Sequence, residues 1–133
     1  MSARRPADPN EPDVALVLKA YEDFVKGDIR SATAALHPEV EWIEPDEFPL
    51  GGRRTGPASV AEYLTASIAL WSELTSERMP YRHGDRIIIV HRVHGRLTDG
   101  TRHASTVADV FTVRDGQVIR MRAYADPNEA FIS

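Results

Sequence analysis

Asp109 is the carboxylate in this chain whose neighbours most favour chemistry. It lies between Val107 and Phe111 on one face of a predicted β-strand, where side chains of alternate residues point the same way. Burial penalises the charged form of a carboxyl group and raises its pKa, which leaves a neutral acid able to donate a hydrogen bond. A structural ion pair with an arginine of a neighbouring strand is the alternative interpretation.

Glu44 is a second candidate for acid–base chemistry. It shares a predicted strand face with Trp42 and directly precedes a segment rich in proline and glycine, which predicts a carboxylate at the rim of a cavity. A carboxylate held there can act as a base when an acidic hydrogen of a ligand lies within hydrogen-bond reach. The neighbouring acids Glu41, Asp46 and Glu47 equally favour a solvated acidic surface.

Arg92 and His94 alternate with Ile88 and Val90 along one predicted strand, so we expect both polar side chains to face the cavity. His94 could exchange a proton near neutral pH, and Arg92 could hold a carboxylate or an enolate. A surface histidine beside an arginine that bridges two strands is the competing interpretation. His91 lies three positions from His94, on the opposite face of the strand, so the two histidines do not predict a zinc site.

Large apolar side chains are the candidates for holding a ligand. We expect five of them to line a pocket for a small, largely apolar molecule: Trp42, Tyr63, Trp71, Phe111 and Met121. Ordinary core packing explains the same spacing without a ligand. We recognise no glycine-rich phosphate motif, no Ser-His-Asp arrangement and no metal-binding cluster, and we therefore expect neither a cofactor nor a metal.

The predicted elements that position these residues are helices first and an antiparallel sheet last, which is typical of an α+β fold. Residues 1–12 are polar and contain prolines, so we expect a disordered tail there and a single domain over residues 13–133. Helices are expected over residues 12–25, 29–36 and 57–71, a loop over 45–56, and strands over 40–44, 86–97, 105–113 and 117–125.

The turn of the last hairpin decides which side chains surround Asp109. A three-residue turn over residues 114–116 would pair Asp109 with Met121, whereas a two-residue turn would pair it with Arg122. A slip of one residue moves a whole strand face from the core to the solvent. We expect the three-residue turn, because it matches the apolar faces of the two strands.

Charge and composition argue against several classes of protein. The formal net charge is −4 and the basic and acidic residues are interspersed, so we expect no nucleic-acid partner. The chain contains no cysteine, which excludes disulfides and thiolate chemistry. No apolar run approaches the roughly 20 residues that span a bilayer, and no signal peptide follows Met1. We therefore expect a cytoplasmic protein without a membrane partner.

Four segments carry a wider resemblance, and they are FVKGD (24–28), LHPEVEWIEP (36–45), RRTGPASVAEYL (53–64) and ADVFTVRDGQVIRMRAYAD (108–126). With them the chain resembles the nuclear-transport-factor-2-like superfamily, and within it the SnoaL-like and ketosteroid-isomerase-like families, over residues 14–131. The resemblance implies a cone-shaped α+β barrel, with three N-terminal helices packed on a strongly curved, mainly antiparallel sheet. It also implies a cavity between helices and sheet, and a homodimer formed through the outer face of the sheet.

The resemblance also assigns roles to individual residues. Glu44 matches the position of the isomerase general base, and Asp109 that of the protonated aspartate which stabilises an oxyanion. The oxyanion tyrosine of the isomerases falls on Ala20, one position from Tyr21. The implied function is cofactor-independent isomerase, polyketide-type cyclase or dehydratase chemistry on a small apolar or polyketide-like ligand. The alternative is a non-catalytic small-molecule binder or a dimerisation module, because one fold hosts many functions.

Overall fold

A computed structural model of the chain describes residues 5–132, and in this part it shows four helices and one seven-stranded sheet. The helices span Pro12–Val25 (α1), Ile29–Ala32 (α2), Pro57–Ile68 (α3) and Pro127–Ile132 (α4). The strands span Arg5–Pro6 (β1), Leu36–Glu44 (β2), Gly52–Thr55 (β3), Trp71–His83 (β4), Arg86–Leu97 (β5), Arg102–Arg114 (β6) and Gln117–Tyr124 (β7). Their order is β1-β4-β5-β6-β7-β2-β3, with β2 and β7 parallel and the other neighbours antiparallel. The predicted α+β fold with a curved, mainly antiparallel sheet is confirmed.

Helix α1 forms one wall of the molecule and follows the sequence prediction closely. Pro12 is its first residue. A backbone N–H at this position makes no hydrogen bond within a helix, so proline, which lacks this N–H, is well tolerated. Its buried stripe contains Val14, Val17 and Tyr21, three or four residues apart, as one face of a helix requires. Burying this stripe fixes the rotation of the helix and aims Tyr21 at the sheet.

The other predicted helices are shorter in the structure. The side chain of Asp28 caps α2 by accepting a hydrogen bond from the Ser31 backbone N–H at 3.1 Å, as expected. The helix stops at Ala32 because Leu36 is already the first residue of β2, where it is paired with Val118 and buried. Helix α3 likewise ends at Ile68, before the long strand β4, and the predicted loop over residues 45–56 contains the short strand β3.

The N-terminal segment differs from the sequence prediction. Arg5–Pro6 pair with β4, and the Ala7 backbone N–H donates to the Pro80 carbonyl oxygen at 2.9 Å. Ala7 is buried. The disordered tail expected over residues 1–12 is therefore wrong for residues 5–12, which contain this strand and the start of α1, and residues 1–4 lie outside the described part of the chain.

Helix α4 is an element that sequence periodicity did not indicate, because its six residues are too few to show a helical pattern. Its residues Ala130 and Phe131 pack against Ile88, Ala108 and Val110 on the outer face of the sheet. Helices α1 and α3 pack against the inner face. Both faces of β5 are therefore apolar at this end of the strand. No helix within residues 5–132 has the length and apolar character needed to cross a membrane.

The last hairpin has a different register from the predicted one. Asp115 and Gly116 both have positive φ, 52° and 75°, which is the conformation of a two-residue type I′ turn. A bulge on β7 then shifts the register, and Asp109 pairs with Ala123. The predicted three-residue turn is wrong, because the bulge rather than the turn supplies the extra residue. Asp109 nevertheless has the apolar surroundings that we expected.

Candidate active site

The inner face of the sheet and helices α1 and α3 enclose a cavity of about 420 Å³. This volume is typical of sites that hold drug-sized ligands. Most of the wall is apolar, with side chains such as Leu16, Leu64 and Leu74. The hydroxyl, imidazole and carboxyl groups on the wall belong to Tyr21, Glu44, Tyr63, Ser67, Ser76, His91, His103, Ser105 and Asp109.

Asp109 lies on the inner face of β6, with a side chain that is 14% exposed. The Tyr21 hydroxyl from α1 donates a hydrogen bond to Asp109 Oδ2. Burial, and after it the charge of Asp109, raise the pKa of Tyr21 well above its ordinary value. Tyr21 therefore remains a protonated donor, and the second oxygen of Asp109 is left for a ligand.

Strand pairing brings Glu44 to the same level of the sheet as Asp109. Strand β2 runs parallel to β7 with Ile43 opposite Arg122, so that Glu44, one step further, is level with Ala123. Ala123 is in turn paired with Asp109. Three neighbouring strands spaced about 4.8 Å apart therefore carry the two carboxyl groups on either side of a methyl side chain.

Two donors hold the Glu44 carboxyl in place. Trp42 Nε1 donates to Glu44 Oε2 at 2.8 Å, from the same face of β2. The Tyr63 hydroxyl from α3 interacts with the same carboxyl group. Burial, followed by the charge of Glu44, raises the pKa of Tyr63, so this hydroxyl also remains protonated. Each cavity carboxyl is thus paired with one tyrosine, and each tyrosine comes from a different helix.

Burial raises the pKa of both cavity carboxyls, because water cannot fully solvate their charged forms. For Asp109 the pKa rises to about 6, although the hydrogen bond from Tyr21 acts in the opposite direction. For Glu44 burial and then the charge of Asp109 raise the pKa to about 8, against the hydrogen bonds from Trp42 and Tyr63. Two such groups titrate as a pair. Near neutral pH the pair therefore holds a single proton, which leaves one acid and one base in the same cavity.

His91 lies next to Asp109 on the inner face of β5. Its Nε2 is 2.7 Å from Ser76 Oγ, and its Nδ1 is 3.8 Å from Asp109 Oδ2. These three residues have the order of a Ser-His-Asp triad, which we did not recognise in the sequence. However, burial and then the nearby charge of Arg78 lower the pKa of His91 to about 4, so the imidazole is a weak base for activating a serine. Asp109 is also engaged by Tyr21, and we assign no nucleophilic role to Ser76.

An arginine lies against the ring of each of the two tyrosines. Arg54 Cζ is 4.5 Å from the ring centroid of Tyr63, and Arg78 Cζ is 5.8 Å from that of Tyr21. The Nη1 atom of each guanidinium group is buried and has no hydrogen-bond partner among residues 5–132. These positive charges lie outside the cavity wall. The charge of Arg54 lowers the pKa of Glu44, and that of Arg78 lowers the pKa of Tyr21, in both cases against the larger effect of burial.

Comparison with known families agrees with this geometry. Residues 17–121 match the SnoaL-like domain. The chain belongs to the SnoaL-like domain family. No curated protein matches the chain.

Solved structures extend the comparison. TerC, which was co-crystallised with polyporic acid, shares 25% sequence identity and superposes with a TM-score of 0.75, over 92% of this chain and 100% of TerC. An NTF2-like protein of unknown function from Burkholderia pseudomallei K96243 is 22% identical, with a TM-score of 0.77, over 90% of this chain and 94% of its own. A candidate SnoaL-like polyketide cyclase from Jannaschia sp. CCS1 is 18% identical, with a TM-score of 0.75 over 94% and 93% of the two chains. The last two comparisons show the shared fold alone.

The cavity of this SnoaL-like domain contains most of the site residues predicted from the sequence. Six of the nine line its wall: Trp42, Glu44, Tyr63, Trp71, Asp109 and Phe111. Met121 does not line the cavity, because it is paired with Phe111 and Trp42 on the neighbouring strands and is buried in the core behind them.

Arg92 and His94 are two further predictions that the structure corrects. Both lie on the outer face of β5, together with Ile88 and Val90, and not in the cavity. His94 Nε2 is 3.5 Å from Glu77 Oε1 at the surface. The alternation of these four residues was recognised correctly, but it was assigned to the wrong face of the sheet.

Three residues near the carboxyl pair were missed, namely Tyr21, His91 and Ser76. Tyr21 belongs to the buried stripe of α1, which helix periodicity shows. His91 alternates with Ile87 and Ile89, the residues that face the cavity side of the core, and Ser76 lies on the adjacent strand. The missing information was which face of β5 points inward.

Proposed function

We propose that this SnoaL-like domain is a cofactor-independent enzyme that performs general acid–base chemistry on a small, largely apolar ligand. The observation that carries the proposal is that the carboxyls of Glu44 and Asp109 face one largely apolar cavity, where burial raises the pKa of both. The co-crystallisation of TerC with polyporic acid supports a small-molecule ligand in this fold. Isomerisation, polyketide-type cyclisation and dehydration all need one base and one acid in such a cavity.

We take Asp109 as the base, because Tyr21 engages one of its oxygens and leaves the other for the ligand, and Glu44 as the acid. This reverses the roles implied by the family resemblance. Asp109 takes a proton from an acidic C–H group of the ligand, and the Tyr21 hydrogen bond holds the carboxylate in position. The protonated Glu44 carboxyl then donates a hydrogen bond to the enolate oxygen that develops, while Tyr63 holds the Glu44 carboxyl in position. The proton on Asp109 returns to another carbon, or leaves with a hydroxyl group as water.

A carbon–hydrogen exchange assay tests this proposal without the natural substrate. β-Tetralone is a suitable probe, because it is compact, apolar and acidic next to its ketone. In deuterium oxide, wild-type protein should accelerate the loss of its acidic protons, as followed by proton NMR. Asp109→Asn should lower the rate by roughly 10²- to 10⁴-fold, the usual contribution of a general base. Glu44→Gln should lower it less, because the glutamine N–H still donates a hydrogen bond.

Glu41→Gln is the matched control, since Glu41 lies on the same strand but pairs with Arg53 at the surface. It should exchange protons at the wild-type rate. A larger loss in Glu44→Gln than in Asp109→Asn would restore the roles implied by the resemblance. Equal rates in wild type and both cavity variants would refute acid–base catalysis at this pair.

A non-catalytic binding protein is the second candidate function, and the same apolar cavity supports it. Planar phenols resemble an enolate and should bind in the cavity, with weaker binding in Asp109→Asn than in wild type. Tryptophan fluorescence can follow the titration, because Trp42 and Trp71 both line the cavity. Phenol binding without exchange of any apolar ketone would favour a carrier of small molecules over an enzyme.

A further inference from the structure

The cavity has a second polar cluster, which the proposed chemistry does not use. His103 and Ser105 lie on β6, two residues apart on its inner face, and His103 Nε2 is 3.0 Å from Ser105 Oγ. The Trp71 ring from the start of β4 stands edge-on to the His103 ring, with centroids 5.6 Å apart. All three side chains line the same cavity as Asp109.

This distal cluster, defined by Trp71, His103 and Ser105, lies far from the two carboxyls. Four residues of β6 separate Ser105 from Asp109. At about 3.4 Å per residue this is roughly 14 Å along the strand. Between them Val107 on β6 and Val93 on β5 are apolar, and the polar side chains of Ser76 and His91 are hydrogen-bonded to each other. His103 and Ser105 therefore form a polar cluster of their own, apart from the carboxyl end.

An apolar pocket usually contains few polar groups, and those present orient the ligand and provide specificity. His103 and Ser105 are well suited to this role, since each can donate or accept a hydrogen bond. Within residues 5–132 no lysine or arginine lines the cavity, so the cluster fits a neutral oxygen better than an anion. A ligand that filled only the carboxyl end would leave the distal cluster to water.

We propose that the ligand is an elongated, mainly apolar molecule with a second oxygen group, a hydroxyl or a ketone, at the end remote from the reacting carbon, and that His103 and Ser105 bind this group. The inference rests on the proposed function, because it takes the carboxyl pair as the reacting end. It adds the length of the ligand and the chemistry of its far end. His103 and Ser105 are thus specificity-determining residues, and Asp109 keeps its role in the reaction.

Two phenols of equal shape test this inference. The oxygen atoms of p,p′-biphenol are about 10 Å apart, and hydrogen bonds of ~2.8 Å at each end extend its reach to the distal cluster. p-Phenylphenol has the same apolar body but only one hydroxyl group. Isothermal titration calorimetry of wild type should show that p,p′-biphenol binds about 5- to 10-fold more tightly, as expected for a net hydrogen bond.

Ser105→Ala and His103→Ala, alone and together, should reduce this advantage to the small statistical factor that two identical ends confer. The affinity for p-phenylphenol should stay unchanged in these variants. Thr106→Ala is the matched control, because Thr106 lies on the same strand and does not line the cavity. It should keep the full advantage of p,p′-biphenol.

The outcomes separate this inference from the function on which it rests. If p-phenylphenol binds and its binding weakens in Asp109→Asn, but p,p′-biphenol gains nothing, the distal subsite is wrong and the carboxyl end stands. The subsite is also wrong if Ser105→Ala with His103→Ala retains the whole advantage. If neither phenol binds the wild-type protein, both the proposed function and the distal subsite are overturned.

Discussion

Two histidine–carboxylate pairs lie on opposite faces of the sheet, at similar distances but in different surroundings. On the inner face, His91 Nδ1 is 3.8 Å from Asp109 Oδ2, and both side chains are 14% exposed. On the outer face, His94 Nε2 is 3.5 Å from Glu77 Oε1, with side chains that are 39% and 61% exposed. The chemical groups are the same in the two pairs. The difference in solvent exposure decides what each pair can do.

Burial changes the proton affinity of the inner pair and gives it a role in chemistry. It raises the pKa of Asp109 to about 6 and lowers that of His91 to about 4, so both groups favour their neutral forms more than they would in water. Water surrounds much of the outer pair and screens its charges, which leaves an ordinary surface contact. The residue types and their spacing in the sequence do not distinguish the two cases.

The largest expected effect is on the pH dependence of stability when a cavity carboxyl is removed. Glu44 has its pKa raised from 4.5 to about 8, so the folded state resists its ionisation. Wild-type protein should therefore lose stability as the pH rises through this window, because the folded state binds the proton more tightly than the unfolded state. The free energy of unfolding of Glu44→Gln, relative to that of wild type, should therefore rise by about 4 kcal/mol when the pH is raised from ~5 to ~9.

Urea denaturation of both proteins at the two pH values measures this difference. Glu77→Gln on the outer face is the control for removing one carboxylate. If Glu44→Gln and Glu77→Gln show the same pH dependence, the cavity does not isolate Glu44 from water, and the contrast between the two faces fails.

A smaller effect on the pH dependence of stability, opposite in sign, is expected from His91. The pKa of His91 is lowered from 6.5 to about 4, so the unfolded chain binds a proton in this window and the folded chain does not. Wild-type stability should fall as the pH falls through the window, with His91 contributing up to ~3 kcal/mol of the loss. His91→Asn should remove this contribution, so that its stability difference between pH ~7 and pH ~4.5 is smaller than that of wild type.

His94→Asn provides the comparison for the histidines, because it removes the same ring from the outer face. Denaturation curves of the two variants at both pH values give the required difference. Comparing the change with pH, rather than absolute stability, cancels the constant loss of the hydrogen bond between His91 and Ser76. An identical pH dependence in the two variants would show that His91 titrates as freely as a surface histidine.

Strand alternation explains which parts of the site could be predicted. On β2 the alternation of Val40, Trp42 and Glu44 predicted a shared face, and the structure places all three inward. The carboxylate of Asp109 was predicted correctly because it interrupts an apolar face of β6. On β2 one face is clearly more apolar than the other, and on β6 the large apolar residues Phe111 and Val113 share the face of Asp109, so the inner face follows from the sequence.

Strand β5 lacks this asymmetry, and the errors are concentrated there. Residues 87–90 are all apolar, because α4 covers Ile88 and Val90 on the outer face while the core covers Ile87 and Ile89 on the inner face. The sequence therefore could not tell which face carries the cavity, and it was wrong for Arg92 and His94. The covering helix comes more than thirty residues later in the chain, counted from Val90 to Pro127, and has no periodic signal of its own.

The smallest expected effect is the coupling energy between Glu77 and His94 on the outer face. A double-mutant cycle with Glu77→Gln and His94→Asn should give a coupling energy below about 1 kcal/mol, the usual value for an exposed ion pair. Denaturation at low protein concentration measures it for the isolated chain. A family homodimer formed through the outer face of the sheet would bury this pair. A coupling energy that rises with protein concentration would therefore mean that a second copy covers the outer face. Both histidine–carboxylate pairs would then be shielded from water, and the contrast in exposure between the two faces would fail.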